Sequence, residues 1–186
     1  MQKIILASQS PRRKQLLEWA EVTFNILVKE TDESYPPGMA IDEVPVHIAR
    51  NKALVIKQTS NVSLPILAAD TVVVIDNTII GKPKNREDAV NILMVLSGKK
   101  HFVITGVVIL YNEKEIAFAD KTTVEFHSLT EEQIEFYVDK YQPYDKAGAY
   151  AIQEWIGVVG IRSINGDFYN VMGLPVSRVV QALATL

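Results

Sequence analysis

The chain has no cysteine among its 186 residues. That excludes disulfides, thiolate nucleophiles, zinc ribbons and iron–sulfur clusters together, and it suits a protein expected in the reducing cytoplasm. Long apolar runs are also missing. None approaches the roughly 18 residues of a membrane span, and the run Ile4–Ala7 is too short for a signal peptide. The histidines, His47, His101 and His127, are too far apart for a zinc spacing and read as structural or surface residues. Neither sign of charge dominates: 19 basic against 22 acidic residues leave a net −3, with no broad basic stripe of the kind nucleic acid requires. A Walker A loop, a GxGxxG turn and a GxSxG serine elbow are all absent. What remains is a chain 48% apolar and 22% charged, a composition that excludes extended disorder and suits one folded domain over residues 1–186.

Local signals divide the chain into strands and helices. Ile4–Ala7 reads as a strand. Ser10 is a good helix N-cap, and Pro11 suits the first helical position because the N–H it lacks has no partner there; the helix is expected to reach about Ala20. Residues 22–28 read as a second strand. The acidic stretch Glu30, Asp32, Glu33 and the Pro36-Pro37-Gly38 loop follow it. Val46, Ala49, Ala53 and Ile56 show helical spacing across 45–58. Residues 66–69 and 71–75 read as strand, interrupted by Asp70, and Asp76-Asn77 signals a hairpin. A helix over 86–96 closes at Gly98, and strands 101–111 and 116–127 flank the turn at Asn112. Thr130-Glu131-Glu132-Gln133 is a capping box that opens a helix to about Lys140. Strands are expected over 157–164 and 168–171, and a last helix after Gly173-Leu174-Pro175. Strands and helices mixed without strict alternation predict an α/β or mixed α+β sheet with flanking helices.

Two places carry charge where simple folding would not put it. Arg12 and Arg13 fall in the first turn of a helix, whose N-terminus is itself positive. Either this is a solvated basic turn, or serine hydroxyls, backbone N–H groups and the two guanidiniums surround an anion such as phosphate. Asp70 stands within an apolar run, where an unpartnered carboxylate is costly to bury. It is either a structural aspartate or a magnesium ligand or general base, with Thr71 beside it as a hydrogen-bond donor. Lys52 and Lys82, taken singly, read as surface charges. Glu30, Asp32 and Glu33 read as a solvated loop or as ligands for a hard cation.

Six segments in order, Leu6-Ala7-Ser8-Gln9-Ser10-Pro11-Arg12-Arg13, Ala68-Ala69-Asp70-Thr71-Val72-Val73, Gly81-Lys82-Pro83, Leu96-Ser97-Gly98, Asp145-Lys146-Ala147-Gly148-Ala149-Tyr150 and Val171-Met172-Gly173-Leu174-Pro175, resemble the Maf family of nucleoside triphosphate pyrophosphatases, also called septum formation inhibitor Maf. The resemblance spans nearly the whole chain. It implies a fold similar to inosine triphosphate pyrophosphatases, with an elongated, curved mixed sheet, flanking helices and two lobes around a cleft. It also implies hydrolysis of a nucleoside triphosphate to monophosphate and pyrophosphate with a divalent cation, Mg2+ or Mn2+.

By that resemblance Asp70 matches the catalytic acidic residue and a metal ligand. Ser8, Arg12, Arg13, Lys52 and Lys82 match the phosphate-facing set, and Glu30 and Glu33 the acidic metal segment. Arg12, Thr71 and Gln153 match positions linked to substrate choice. The loop ending Ala151-Ile152-Gln153 resembles the branch acting on dTTP and UTP, although Glu154 and Trp155 stand where that branch usually has glycine next. The implied partner is the nucleoside triphosphate, with no nucleic acid and no membrane; a homodimer is left open. The alternatives are a 7-methyl-GTP or non-canonical purine triphosphate pyrophosphatase, or a nucleotide-binding regulator of septum formation.

Overall fold

A computed structural model describes residues 2–186. The elements run β1 (Ile4–Leu6), α1 (Pro11–Trp19), β2 (Phe24–Ile26), α2 (Val44–Thr59), β3 (Ile66–Ile75), β4 (Thr78–Ile80), α3 (Arg86–Leu96), β5 (Lys100–Tyr111), β6 (Lys114–Phe126), α4 (Glu131–Tyr141), a short 3₁₀ turn (Ala147–Ala149), α5 (Trp155–Gly160), β7 (Ile161–Asn165), α6 (Phe168–Met172) and α7 (Val176–Leu183). The seven strands form one mixed sheet in the order β2-β1-β3-β5-β6-β7, with β4 paired to β3. β1 is parallel to β2 and β3, while β3–β4 and β6–β7 are antiparallel. This is the mixed α/β sheet with flanking helices that the sequence predicts. Among the described residues no helix is long and apolar enough to cross a membrane.

The chain forms two compact units. The first holds the chain up to Thr71 with Thr105–Asp120 and Gly173–Leu186; the second holds Val72–Ile104 and Lys121–Met172. In the first, α2 packs on the sheet through Ala49, Ala53 and Ile56, which meet Ile5, Ala7, Ile66, Ala68, Val108 and Leu110. The four alanines in that set let the helix backbone approach closely, and complete burial of a side chain such as Ile56 contributes about 2–3 kcal/mol. The approach is tightest at Gly106, where a Cβ would collide with the backbone of Pro45 and Val46.

Local capping behaves as the sequence predicts. The Ser10 hydroxyl accepts from the Arg13 backbone N–H, with Pro11 opening α1. Thr130 and Gln133 form a reciprocal capping box on α4. Asp76 and Asn77 both take positive φ, 49° and 58°, as a tight right-twisted hairpin requires. Gly98, at φ +70°, follows the end of α3.

Several expectations are corrected. The second strand contracts to Phe24–Ile26. Asp70 does not interrupt β3, which runs unbroken through it. Residues 157–164 are not one strand: α5 ends at Gly160, and β7 begins at Ile161. A Cβ at Gly157 would run into the Ile152 carbonyl, so its lack of a side chain permits a folded turn that Val158 and Val159 alone would not suggest. Residues 168–171 are helical rather than extended. There the Asp167 carboxylate accepts from the Tyr169 N–H at 2.7 Å in the manner of an N-cap. The Asn170 amide donates to Val103 O and Thr122 Oγ1.

Candidate active site

In the first unit, β3 supplies the centre. Successive strand residues point to opposite faces, and Asp70 and Thr71 accordingly engage different partners. Asp70 Oδ1 accepts from Lys52 Nζ at 2.7 Å. The same ammonium lies 2.7 Å from Glu33 Oε1. Lys52 sits on α2 between Ile48 and Ile56, which bury its stem's side of the helix. It thus bridges a half-buried carboxylate and a loop carboxylate, with side-chain exposures of 15% and 53% respectively.

Thr71 meets Arg13. Arg13 is only 8% exposed, and four of its five N–H bonds are used. Nε donates to Gly173 O at 2.8 Å, Nη1 to Ala69 O at 2.8 Å and to Ser8 Oγ at 3.1 Å, and Nη2 to Thr71 Oγ1 at 3.0 Å. Thr71 Oγ1 in turn bonds Thr105 Oγ1 at 2.9 Å. Burial pushes the guanidinium below the ordinary arginine value; the charge of Asp70 opposes this, the nearby Arg12 adds to it and Glu33 opposes it again. Two carboxylates that it does not touch directly thus offset part of the cost of burying the charge. The awkward arginine in the first turn of α1 is resolved by folding it inward.

The structure therefore brings together Ser8, Arg13, Glu33, Lys52, Asp70 and Thr71. Arg12 is half-buried beside them and interacts electrostatically with Arg13. Glu30 is exposed and is not placed in this set by any hydrogen bond or ion pair described. Lys82 and Gln153 belong to the second unit, and both are exposed. Lys82 follows Gly81, whose carbonyl accepts from the Gly148 N–H at 3.1 Å; a Cβ at Gly148 would press on Val73 at 2.8 Å.

Sequence reasoning did not single out Thr105 or, individually, Gly173. The first is a hydroxyl inside the apolar run from Val103 to Leu110, which is a usable signal. The second contributes a carbonyl, which no side-chain pattern reveals. It adopts φ +116°, a backbone conformation open mainly to glycine.

Glu33 and Asp70 already share one cation, so their oxygens suit a hard divalent ion, which typically takes one or two carboxylates and fills its remaining positions with water and phosphate oxygens. Among the described residues no three His, Cys, Asp or Glu side chains cluster as a ready-made metal cage.

A family model described as "Maf-like protein" matches residues 3–186. The chain belongs to the Maf family. Curated relatives named "dTTP/UTP pyrophosphatase" resemble this Maf chain along nearly its full length. That of Cytophaga hutchinsonii is 51% identical over 97% of this chain and 82% of its own. That of Parabacteroides distasonis is 47% identical over 97% and 94%, and that of Bacteroides thetaiotaomicron 46% identical over 99% and 96%. Among solved structures, a nucleoside-triphosphatase / dITP/XTP pyrophosphatase from Mycobacterium abscessus overlaps 67% of the Maf chain and 72% of its own at 14% identity and a TM-score of 0.41, a likeness too slight to build on.

Proposed function

We propose that the protein hydrolyses dTTP and UTP to the nucleoside monophosphate and pyrophosphate. The observation that carries this reading is the Lys52 ammonium shared by Asp70 and Glu33, in a chain about half identical to relatives bearing that activity's name. Two carboxylates and a lysine ammonium at one point suit a polyphosphate that arrives with its own metal ion.

In this reading Asp70 orients the attacking water and accepts its proton. The water oxygen bonds to the α-phosphorus, the bond from that phosphorus to the α,β-bridging oxygen breaks, and its electron pair leaves with pyrophosphate. Lys52 moves from the carboxylates to phosphate oxygens, with Arg12 as a further phosphate contact. Glu33 and Asp70 would hold Mg2+ or Mn2+, which would supply charge neutralisation at the phosphates. Arg13 and Ser8 position β3 and the loop after β1. Gln153 offers a donor and an acceptor matched to the O4 and N3–H edge of uracil or thymine.

The test is a panel of canonical and modified nucleoside triphosphates with Mg2+ or Mn2+, followed by pyrophosphate release. Preferential turnover of dTTP and UTP is expected. Release of orthophosphate alone, preference for 7-methyl-GTP or a purine triphosphate, or binding without turnover would overturn the reading.

A further inference from the structure

Both carboxylate oxygens of Glu154 have partners. Oε2 accepts from the Tyr137 hydroxyl, and Oε1 lies 3.5 Å from Lys146 Nζ. Lys146 is only 8% exposed, so its ammonium requires a counter-charge close by. Asp145 supplies one at 2.8 Å, but its side chain is 59% exposed against 22% for Glu154. Glu154 is thus the interior partner of the pair.

The same groups close the turn that carries Gln153. The Tyr137 hydroxyl, fully buried on α4, accepts the Ala151 N–H at 3.2 Å while it donates to Glu154. The Glu154 N–H returns to Ala151 O at 3.1 Å, and the Glu154 carbonyl accepts the Gly157 N–H at 2.9 Å, which opens α5. Ala151 and Ile152 are buried, and the Trp155 ring meets Phe136 edge-on at 4.9 Å between centroids. Within this turn only the Gln153 side chain is left exposed. One hydroxyl therefore ties the backbone two residues before the exposed glutamine to the carboxylate of the residue after it.

We infer that Glu154, clamped between Tyr137 and Lys146, is a positioning residue for base selection: it sets the turn from which Gln153 meets the pyrimidine. The inference rests on the proposed reading of Gln153 as the group that contacts the base. A carboxylate that acts through Gln153 affects substrate binding and base choice, and its effect disappears when Gln153 is removed.

The experiment compares Glu154→Ala, Glu154→Gln, Gln153→Ala and the double variant on dTTP, UTP and dGTP. For Glu154→Ala, KM for dTTP and UTP is expected to rise about tenfold, with the larger part of the kcat/KM loss in KM and a matching fall in preference over dGTP. Glu154→Gln, which keeps an acceptor for Tyr137 but no charge for Lys146, recovers part of that loss. The double variant is no worse than Gln153→Ala alone, as non-additivity requires of two residues acting through one contact.

Additive losses, or a Glu154→Ala protein that melts earlier with unaltered base preference, would overturn the inference while the reading of Gln153 stands. Unaltered preference in Gln153→Ala would overturn both. If Glu154→Ala does not fold, Glu154→Gln and Tyr137→Phe carry the same comparison.

Discussion

Arg13 Nη1 donates to the carbonyl of Ala69 at 2.8 Å, so a guanidinium from the first turn of α1 grips the residue that precedes Asp70. Its Nη2 reaches Thr71 on the other side. Asp70 is held in register from both neighbours while its own carboxylate is left to Lys52. Arg13 thus builds the site's floor, and Lys52 supplies the charge that can be redirected.

Replacing Arg13 by Ala removes four hydrogen bonds in a buried place and leaves two carbonyls without their donor. A stability loss of roughly 3 kcal/mol or more is expected, read from urea denaturation, together with a fall in kcat/KM. Arg13→Lys should recover little, since an ammonium cannot reproduce the planar fork. A variant of native stability with only a raised KM would assign Arg13 to phosphate binding instead.

Asp70→Asn keeps the shape of the side chain and removes the carboxylate that would take the proton. Turnover is expected to fall on the order of 10²–10⁴-fold, the usual contribution of a positioned general base, while nucleotide binding measured by calorimetry persists. Near-normal turnover would exclude the base role.

Lys52 and a divalent ion compete for the same two carboxylates in the proposed site. Lys52→Met should therefore bind Mn2+ more tightly than the parent protein when no nucleotide is present, measured by the Mn2+ electron paramagnetic resonance signal, yet turn over more slowly. Glu33→Gln should weaken Mn2+ binding. Unchanged Mn2+ affinity in both variants would place the metal elsewhere.

In the second unit, buried His101 stacks on Phe126 at 5.3 Å and bonds the Tyr150 hydroxyl at 2.7 Å. Burial pushes its pKa down from 6.5 to about 4. The unfolded chain then binds more protons than the folded one between these values, so stability falls as pH drops from about 6.5 to about 4 and is independent of this residue above 6.5. The full loss is on the order of 3 kcal/mol. Urea midpoints measured from pH 7 to pH 4 should fall more steeply for the parent protein than for His101→Gln; parallel slopes would assign the acid sensitivity to other groups.

Elements whose cause is local were readable from the sequence. Ser10-Pro11, the Thr130 capping box and the Asp76-Asn77 turn each contain the atoms that satisfy their own backbone. Asp70 was readable as well, because a carboxylate in an apolar run demands a partner. Its partner was not, since the Lys52 bond spans 18 residues and the Arg13–Gly173 bond spans 160, separations on which periodicity is silent. Residues 168–171 read as a strand because phenylalanine, tyrosine and valine favour strands, whereas the buried amide bonds of Asn170 accompany the helix Phe168–Met172. The turn at Gln153 depends on the Tyr137 hydroxyl, for which no neighbouring pattern gives a sign.

Lys52 stands two helical turns, about 10 Å, beyond the point where α2 touches Gly106. A single methyl group on that strand would lever the helix outward and carry the ammonium with it. Alanine at position 106, uncharged and outside every polar network around Asp70, would therefore detune the enzyme by distance alone, lengthening a lysine's reach without altering any atom that reacts.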